Sequence, residues 1–213
     1  MGGEIPGSGL PLLGSQWWIP TIDSNRFQPF PTDMKQKKNM DELDHLRPDG
    51  PKLVPGHRIL LILDSVRSMH NVGAAFRTGD AMGVDALYLC GYTPRPPHRD
   101  IHKTALGATE TVPWKGFDQI EQAMAEARSL GYTLMGVEQI HGSIGLHALT
   151  KLPPKIALVF GNEVDGLSAE ALKHIEAGIE IPQFGKKHSL NLAVSMGMVL
   201  WEISGRKAKP APL

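Results

Sequence analysis

"RILLILDSVRSMHNVGAAFRTGDAMGVDALYLCG" runs from Arg58 to Gly91 and sets the fold class. "RILLILDSV" is an apolar run of strand length, bounded by "VPGH" before it and a polar turn after it. "NVGAAFRTGDAMG" then places apolar or small residues at Val72, Ala75, Phe76, Gly79 and Met82, a helical spacing that stops at Gly83. "DALYLCG" is apolar and strand-like again. The alternation continues downstream. A Pro-rich stretch, "YTPRPPHRDIHK", reads as a loop. "FDQIEQAMAEARSLG" reads as an amphipathic helix with Phe117, Ile120, Met124, Ala127 and Leu130 on one side and Gly131 as its stop. "YTLMGVE" and "KIALVFG" are strands, "SAEALKHIEA" a helix capped by Ser168, and "GIEIP" a short strand. Strands alternating with helices predict an α/β domain with a mainly parallel sheet and flanking helices. Its ligand site is expected outside the C-terminal ends of the strands.

Around this core, the chain of 213 residues divides into three parts. Residues 1–56 are rich in proline and glycine with little periodicity, and read as a largely unstructured extension with local docking through Trp17 and Trp18. Met34 reads as an alternative start. Residues 57–205 form the folded domain, and 206–213 a basic tail. Lys+Arg 22 against Asp+Glu 22 leave no net charge, so any nucleic-acid site must be a local patch. The single Cys90 excludes an intramolecular disulfide, and its apolar run marks it as a core thiol. No stretch approaches the ~20 apolar residues of a membrane span, and the N-terminus lacks the pattern of a signal peptide. A cytoplasmic protein without membrane attachment is expected.

Three strand ends carry unusual residues. In "NVGAAFRTGD", Asn71 can cap the helix, and Arg77 stands one turn beyond Gly73, so its guanidinium could reach back over the glycine toward the free N–H groups. That arrangement suits a phosphate; the plainer reading of Arg77 is a solvated surface residue. In "VFGNEVDGLS", Gly161 could admit a ligand close to the backbone and Glu163 offers a carboxylate, though a tight strand-to-helix turn explains the glycines equally well. In "IPQFGKKHSLNLAVSMGMVLWEI", Ser189 is the expected N-cap, with Asn191 inside the first turn and Lys186, Lys187 and His188 before it. The helix Leu190–Ile203 is apolar almost all round, so it needs cover on both sides, most economically from a partner subunit. His98 and His102 lack a third ligand, so no metal is expected. Neither a dinucleotide fingerprint, a P-loop nor a nucleophile elbow is present.

Taken together and in this order, the three segments resemble the three motifs of the SpoU (TrmH-like) family of RNA ribose 2′-O-methyltransferases, within the SPOUT superfamily. "NVGAAFRT" is similar to the first, "FGNEVDGL" to the second and "IP…SLNLAVS" to the third; the resemblance spans about Arg58 to Ser204. Gln183 stands where many members have Met, and no recognisable folded RNA-binding domain precedes Arg58. The resemblance implies a C-terminal trefoil knot, S-adenosylmethionine as methyl donor without a metal, and a homodimer through the Leu190–Ile203 helix with active sites at the subunit interface. It implies cofactor contacts from Val137, Glu138, Gly161, Ile181 and Leu190. Arg77, Asn71, Glu163, Ser189 and Asn191 would surround the reacting ribose, with RNA held by Arg99, Lys103, Lys186 and Lys187. An Arg whose pKa exceeds ~12 is a poor proton acceptor, so Arg77 is expected to bind phosphate and stabilise the developing alkoxide. The resemblance implies an RNA substrate, with tRNA expected rather than rRNA. The alternatives are a non-catalytic RNA-binding or assembly protein on this fold, and a SPOUT base methyltransferase.

Overall fold

Fourteen elements follow one another in a computed structural model that describes residues 57–207 and Lys37, with side chains through Ser204. The expectations for residues 1–56, Trp17 and Trp18 included, and for most of the C-terminal tail lie outside the described residues. The chain runs β1 (Arg58–Asp64), α1 (Met69–Met82), β2 (Ala86–Cys90), α2 (Arg99–Ala105), α3 (Ala108–Thr111), β3 (Trp114–Phe117) and α4 (Ile120–Ser129). It continues through β4 (Thr133–Val137), β5 (Ile144–Gly145), a 3-10 turn (Leu146–Ala148), β6 (Lys155–Phe160), α5 (Ala169–His174), β7 (Ala177–Glu180) and α6 (Leu192–Lys207).

The strands form one sheet in the order β3-β2-β1-β6-β4-β7-β5. Every ladder is parallel, from Leu60↔Ala86 between β1 and β2 to Ile144↔Ile179 between β5 and β7. Parallel strands need helices on both faces, which is why β1 reads as unbroken hydrophobic sequence. Ile59, Leu61 and Leu63 face one core with Val72 and Phe76 of α1 and Met196, Val199, Leu200 and Ile203 of α6. Leu60 and Ile62 face the other, with Met124 of α4 and Ala171 of α5. Two late strands enter between earlier ones: β6 beside β1, and β7 between β4 and β5. This brings the loops after β1, β4, β6 and β7 to one end of the sheet.

Several local expectations are corrected. The Pro-rich loop contains α2, which begins as soon as the prolines end: His98 is its N-cap, its ring accepting the Asp100 N–H. Phe117 belongs to edge strand β3 rather than to the following helix, and Leu130 is exposed. Gly73 leaves no gap for Arg77. A Cβ there would strike the Thr104 side chain and come within 2.6 Å of the Ile101 carbonyl, so the glycine lets α2 pack against α1.

The last helix begins two residues later than its apolar run. Asn191, not Ser189, is its cap: Asn191 Oδ1 accepts the N–H groups of Ala193 at 2.9 Å and Val194 at 3.3 Å. Ser189 lies upstream and exposed. The helix is two-faced. Leu192, Met196, Val199, Leu200 and Ile203 are buried, whereas Leu190 ahead of it and Val194, Met198 and Trp201 along it are exposed.

Candidate active site

Asn191 and Asn71 lie 120 residues apart in sequence and meet at the end of the sheet. Asn191 Nδ2 points at Asn71 Oδ1 at 3.4 Å, and Asn71 Nδ2 donates to Glu163 Oε1 at 2.8 Å. The same carboxylate accepts the backbone N–H of Arg67 at 2.9 Å and of Ser68 at 3.0 Å. A continuous polar chain therefore ties the loop after β6 to the start of α1 and the start of α6. Partial loss of water opposes the charge on Glu163, but the hydrogen bonds from Arg67, Asn71 and Ser68 outweigh it and hold its pKa below the ordinary carboxylate value. A carboxylate so fully bonded is a clamp rather than a proton acceptor.

Beside this chain opens a cavity of about 550 Å³, the size of a cofactor site. The ends of β4 and β7 contribute Val137, Glu138 and Ile181, the loop after β6 contributes Gly161 through Gly166, and the segment before α6 contributes His188 through Leu192. All five residues expected to hold the cofactor line it: Val137, Glu138, Gly161, Ile181 and Leu190. So do Glu163, Ser189 and Asn191, with Asn71 reached through its bonds to Glu163 and Asn191. Gln139 Nε2 donates to the His188 carbonyl at 2.7 Å, and Gln183 Nε2 reaches the same oxygen at 3.4 Å, which fixes the loop before α6 against the strand ends.

Of the two readings its sequence allows, Gly161 serves the tight turn. The space where its Cβ would stand is filled by the backbone of Gly166 and Leu167, because the chain doubles back through the Asn162↔Gly166 bridge. Gly166, at φ 70°, completes that turn and lies against the Glu138 carboxylate. These glycines shape the wall of the cavity.

Other expected residues fall elsewhere. Arg77 is exposed, does not line the cavity, and makes no hydrogen bond or ion pair among the described residues. It shares a helical stripe with Gly73, which packs on Thr104, and Asp80, which accepts from Thr111. Arg99 lines a second depression beside Trp114 at the β3 edge, while Lys103, Lys186 and Lys187 are exposed and line neither space. Cys90 is buried, and burial together with the nearby Asp64 carboxylate pushes its thiol pKa up, so it is inert.

Sequence reasoning passed over Asn162, although it stands in the quoted "GNE". It is buried, and its amide nitrogen donates to the Ser65 carbonyl and the Tyr92 hydroxyl while its oxygen accepts from Val164 and Asp165. Asn162 organises the loop that carries Glu163. An asparagine at the end of an otherwise apolar strand was the available signal.

The chain is similar in sequence to several curated relatives. The chain is 37% identical over 144 residues to the 23S rRNA (guanosine-2'-O-)-methyltransferase RlmB of Neisseria meningitidis serogroup B, covering 68% of this chain and 57% of the relative. It is 28% identical over 206 residues to the Coxiella burnetii enzyme of the same name, covering 94% of this chain and 79% of that one. In the match to the Neisseria enzyme the chain thus spans little more than half the relative's length. Among solved structures, the AdoMet-bound rRNA methyltransferase of Sinorhizobium meliloti superposes with a TM-score of 0.67 at 25% identity, over 81% of this chain and 71% of that one. The A. aeolicus TrmH/SpoU tRNA modifying enzyme superposes with a TM-score of 0.64 at 25% identity, over 78% of this chain and 83% of that one. The description SpoU rRNA Methylase family fits residues 58–201, which hold every residue of the cavity and its polar chain, and the protein belongs to that family.

Proposed function

We propose that the protein transfers a methyl group from S-adenosylmethionine to a ribose 2′-hydroxyl of RNA. The observation that carries this reading is the cavity joined to the Glu163–Asn71–Asn191 chain, since it assembles all three motif segments at one end of the sheet. The cavity fits the cofactor. Its volume is adequate, its walls combine Val137, Ile179, Ile181, Leu190 and Leu192 with polar strand ends, and the carboxylates of Glu138, Glu163, Asp165 and Glu180 favour a cationic sulfonium. The cofactor supplies an electrophilic methyl that needs no metal to react. The chain's residues supply position: Asn191 and Asn71 present fixed amides, and Glu163 keeps them oriented. Ser189, exposed at the cavity and with no side-chain partner among the described residues, is free to relay the hydroxyl proton to water. The family's trefoil knot, in the C-terminal part of the domain, belongs to the same reading.

Arg77 stands outside the cavity of a single chain, and the outer stripe of α6 is uncovered. We therefore read the active unit as a homodimer joined through α6, in which a second copy completes the site and brings Arg77 to the RNA backbone. Lys186, Lys187, Arg99 and Lys103 are exposed cations suited to the same backbone. The substrate class is rRNA rather than the tRNA first expected, because the curated relatives compared above are named for 23S rRNA. Such work belongs in the cytoplasm; among the described residues no helix is long and apolar enough to cross a membrane.

The test is incubation with labelled S-adenosylmethionine and total RNA from cells lacking the protein, followed by nucleoside mapping. A 2′-O-methylated nucleoside in rRNA is the expected product, formed equally well with EDTA once the RNA is folded. Label on a base, or none, overturns the reading.

A further inference from the structure

Tyr92 follows the end of β2 and leaves 57% of its surface open to water. Tyr88, in the same strand, shows the ordinary alternative: it is 6% exposed and donates its hydroxyl to Glu126. Tyr92 is not loose for being exposed. Its hydroxyl accepts the Asn162 Nδ2 donor at 2.8 Å, and that amide is itself pinned by the Ser65 carbonyl at 2.8 Å and by two backbone N–H groups. Asn162 lines the cavity and directly precedes Glu163. The ring is thus anchored at its polar tip by the loop that shapes the methyl-transfer site.

A cation accompanies it. The Arg67 guanidinium lies 6.0 Å from the Tyr92 ring centroid, while the Arg67 backbone N–H donates to Glu163. The turn between β1 and α1 that carries Arg67 passes through Ser65 at φ 55°, a left-handed conformation uncommon outside glycine, held by the Cys90 carbonyl and by Asn162. One hub therefore fixes an exposed aromatic ring, the backbone that carries an exposed guanidinium, and the Glu163 clamp together.

We infer that Tyr92, flanked by Arg67, is a stacking platform for an unpaired RNA base beside the reacting ribose. Stacking on an aromatic face is how proteins grip single-stranded bases, and it tolerates any base because each has a π-face. Arg67 adds charge for the adjoining phosphate. Tyr92 acts as a positioning residue: it fixes the base so that the ribose reaches the cavity mouth. The inference rests on RNA being the ligand, as proposed above.

The experiment compares full-length wild type with Tyr92→Ala and Tyr92→Phe in three measurements. These are S-adenosylmethionine affinity by calorimetry, affinity for a fluorescein-labelled single-stranded RNA of mixed sequence, and methyl transfer to RNA from cells lacking the protein. Tyr92→Ala is expected to weaken RNA binding by about 10-fold, the scale of one lost base stack, with cofactor affinity unchanged. Tyr92→Phe is expected to recover most of the loss, because it keeps the ring and gives up only the bond to Asn162. An abasic version of the same RNA is expected to bind wild type and Tyr92→Ala alike. If Phe is as weak as Ala, the residue matters only through Asn162 and the platform is overturned; RNA binding by Ala at wild-type strength overturns it too. A Tyr92-dependent grip on RNA without methyl transfer supports the platform and overturns the proposed reaction instead.

Discussion

At the scale of single residues, the polar chain divides the labour between a clamp and a missing cation. Glu163 is bonded by three donors outside its own residue, so its charge is needed to hold the start of α1. Its folded pKa is depressed. Its contribution to stability is therefore present above its unfolded pKa of about 4.3 and is lost as pH falls through the lower folded value. Thermal melts of wild type and Glu163→Gln should differ most at neutral pH and converge on acidification below that range. A gap that widens toward low pH contradicts the clamp. Arg77 behaves oppositely, since nothing in the described chain holds it. Arg77→Ala should lower methyl transfer by at least ~10²-fold, the scale of one lost electrostatic stabiliser, with cofactor affinity unchanged. Arg77→Lys should rescue poorly, because Lys lacks the planar fork. Steady-state kinetics on RNA substrate checks both.

At the scale of elements, helix ends and helix contacts explain the motif residues as much as ligands do. Asn191 has two functions that can be separated. As N-cap it satisfies the N–H groups of Ala193 and Val194, and as an amide donor it faces Asn71. Asn191→Ala should lose about 1 kcal/mol of stability as well as activity. Asn191→Asp keeps a good cap but loses the donor, so its melting temperature should stay near wild type while turnover falls. Gly73→Ala forces a Cβ against Thr104 and the fixed Ile101 carbonyl, and should cost about 1–3 kcal/mol in denaturant unfolding. The sequence was readable where a pattern is local. The apolar runs of β1, β2, β4 and β6, the stop at Gly83 and the Ser168 cap all stand in the structure as periodicity places them. Non-local causes were not readable. Thr104 filling the space at Gly73 and the bonds of Asn162 to Ser65 and Tyr92 depend on segments far apart in the sequence. Asn191 rather than Ser189 takes the cap because its amide reaches two N–H groups while also meeting Asn71, a partner on another helix.

For the whole molecule, the unanswered demand is the outer face of α6. Val194, Met198 and Trp201 recur at helical spacing and are exposed, Trp201 at 68%. Among the described residues nothing beyond the helix's own backbone stands within 4 Å of the Cβ position at Gly197, so that face is open to close approach. Leu200, on the inner face of the same helix, is fully buried in the chain's own core. Each large side chain of the stripe gains on the order of 1.5–3 kcal/mol if fully covered, as it would be in the proposed α6–α6 dimer. Trp201→Glu places a charge in that contact without disturbing Met196, Val199 or Ile203 on the inner face. The variant should fold with a near-normal melting profile and sediment as a monomer at micromolar concentration. It should also lose methyl transfer, because Arg77 and the cavity would then remain on separate molecules. A monomeric wild type that methylates RNA at full rate removes the dimer from the mechanism and requires Arg77 to reach the cavity of its own chain.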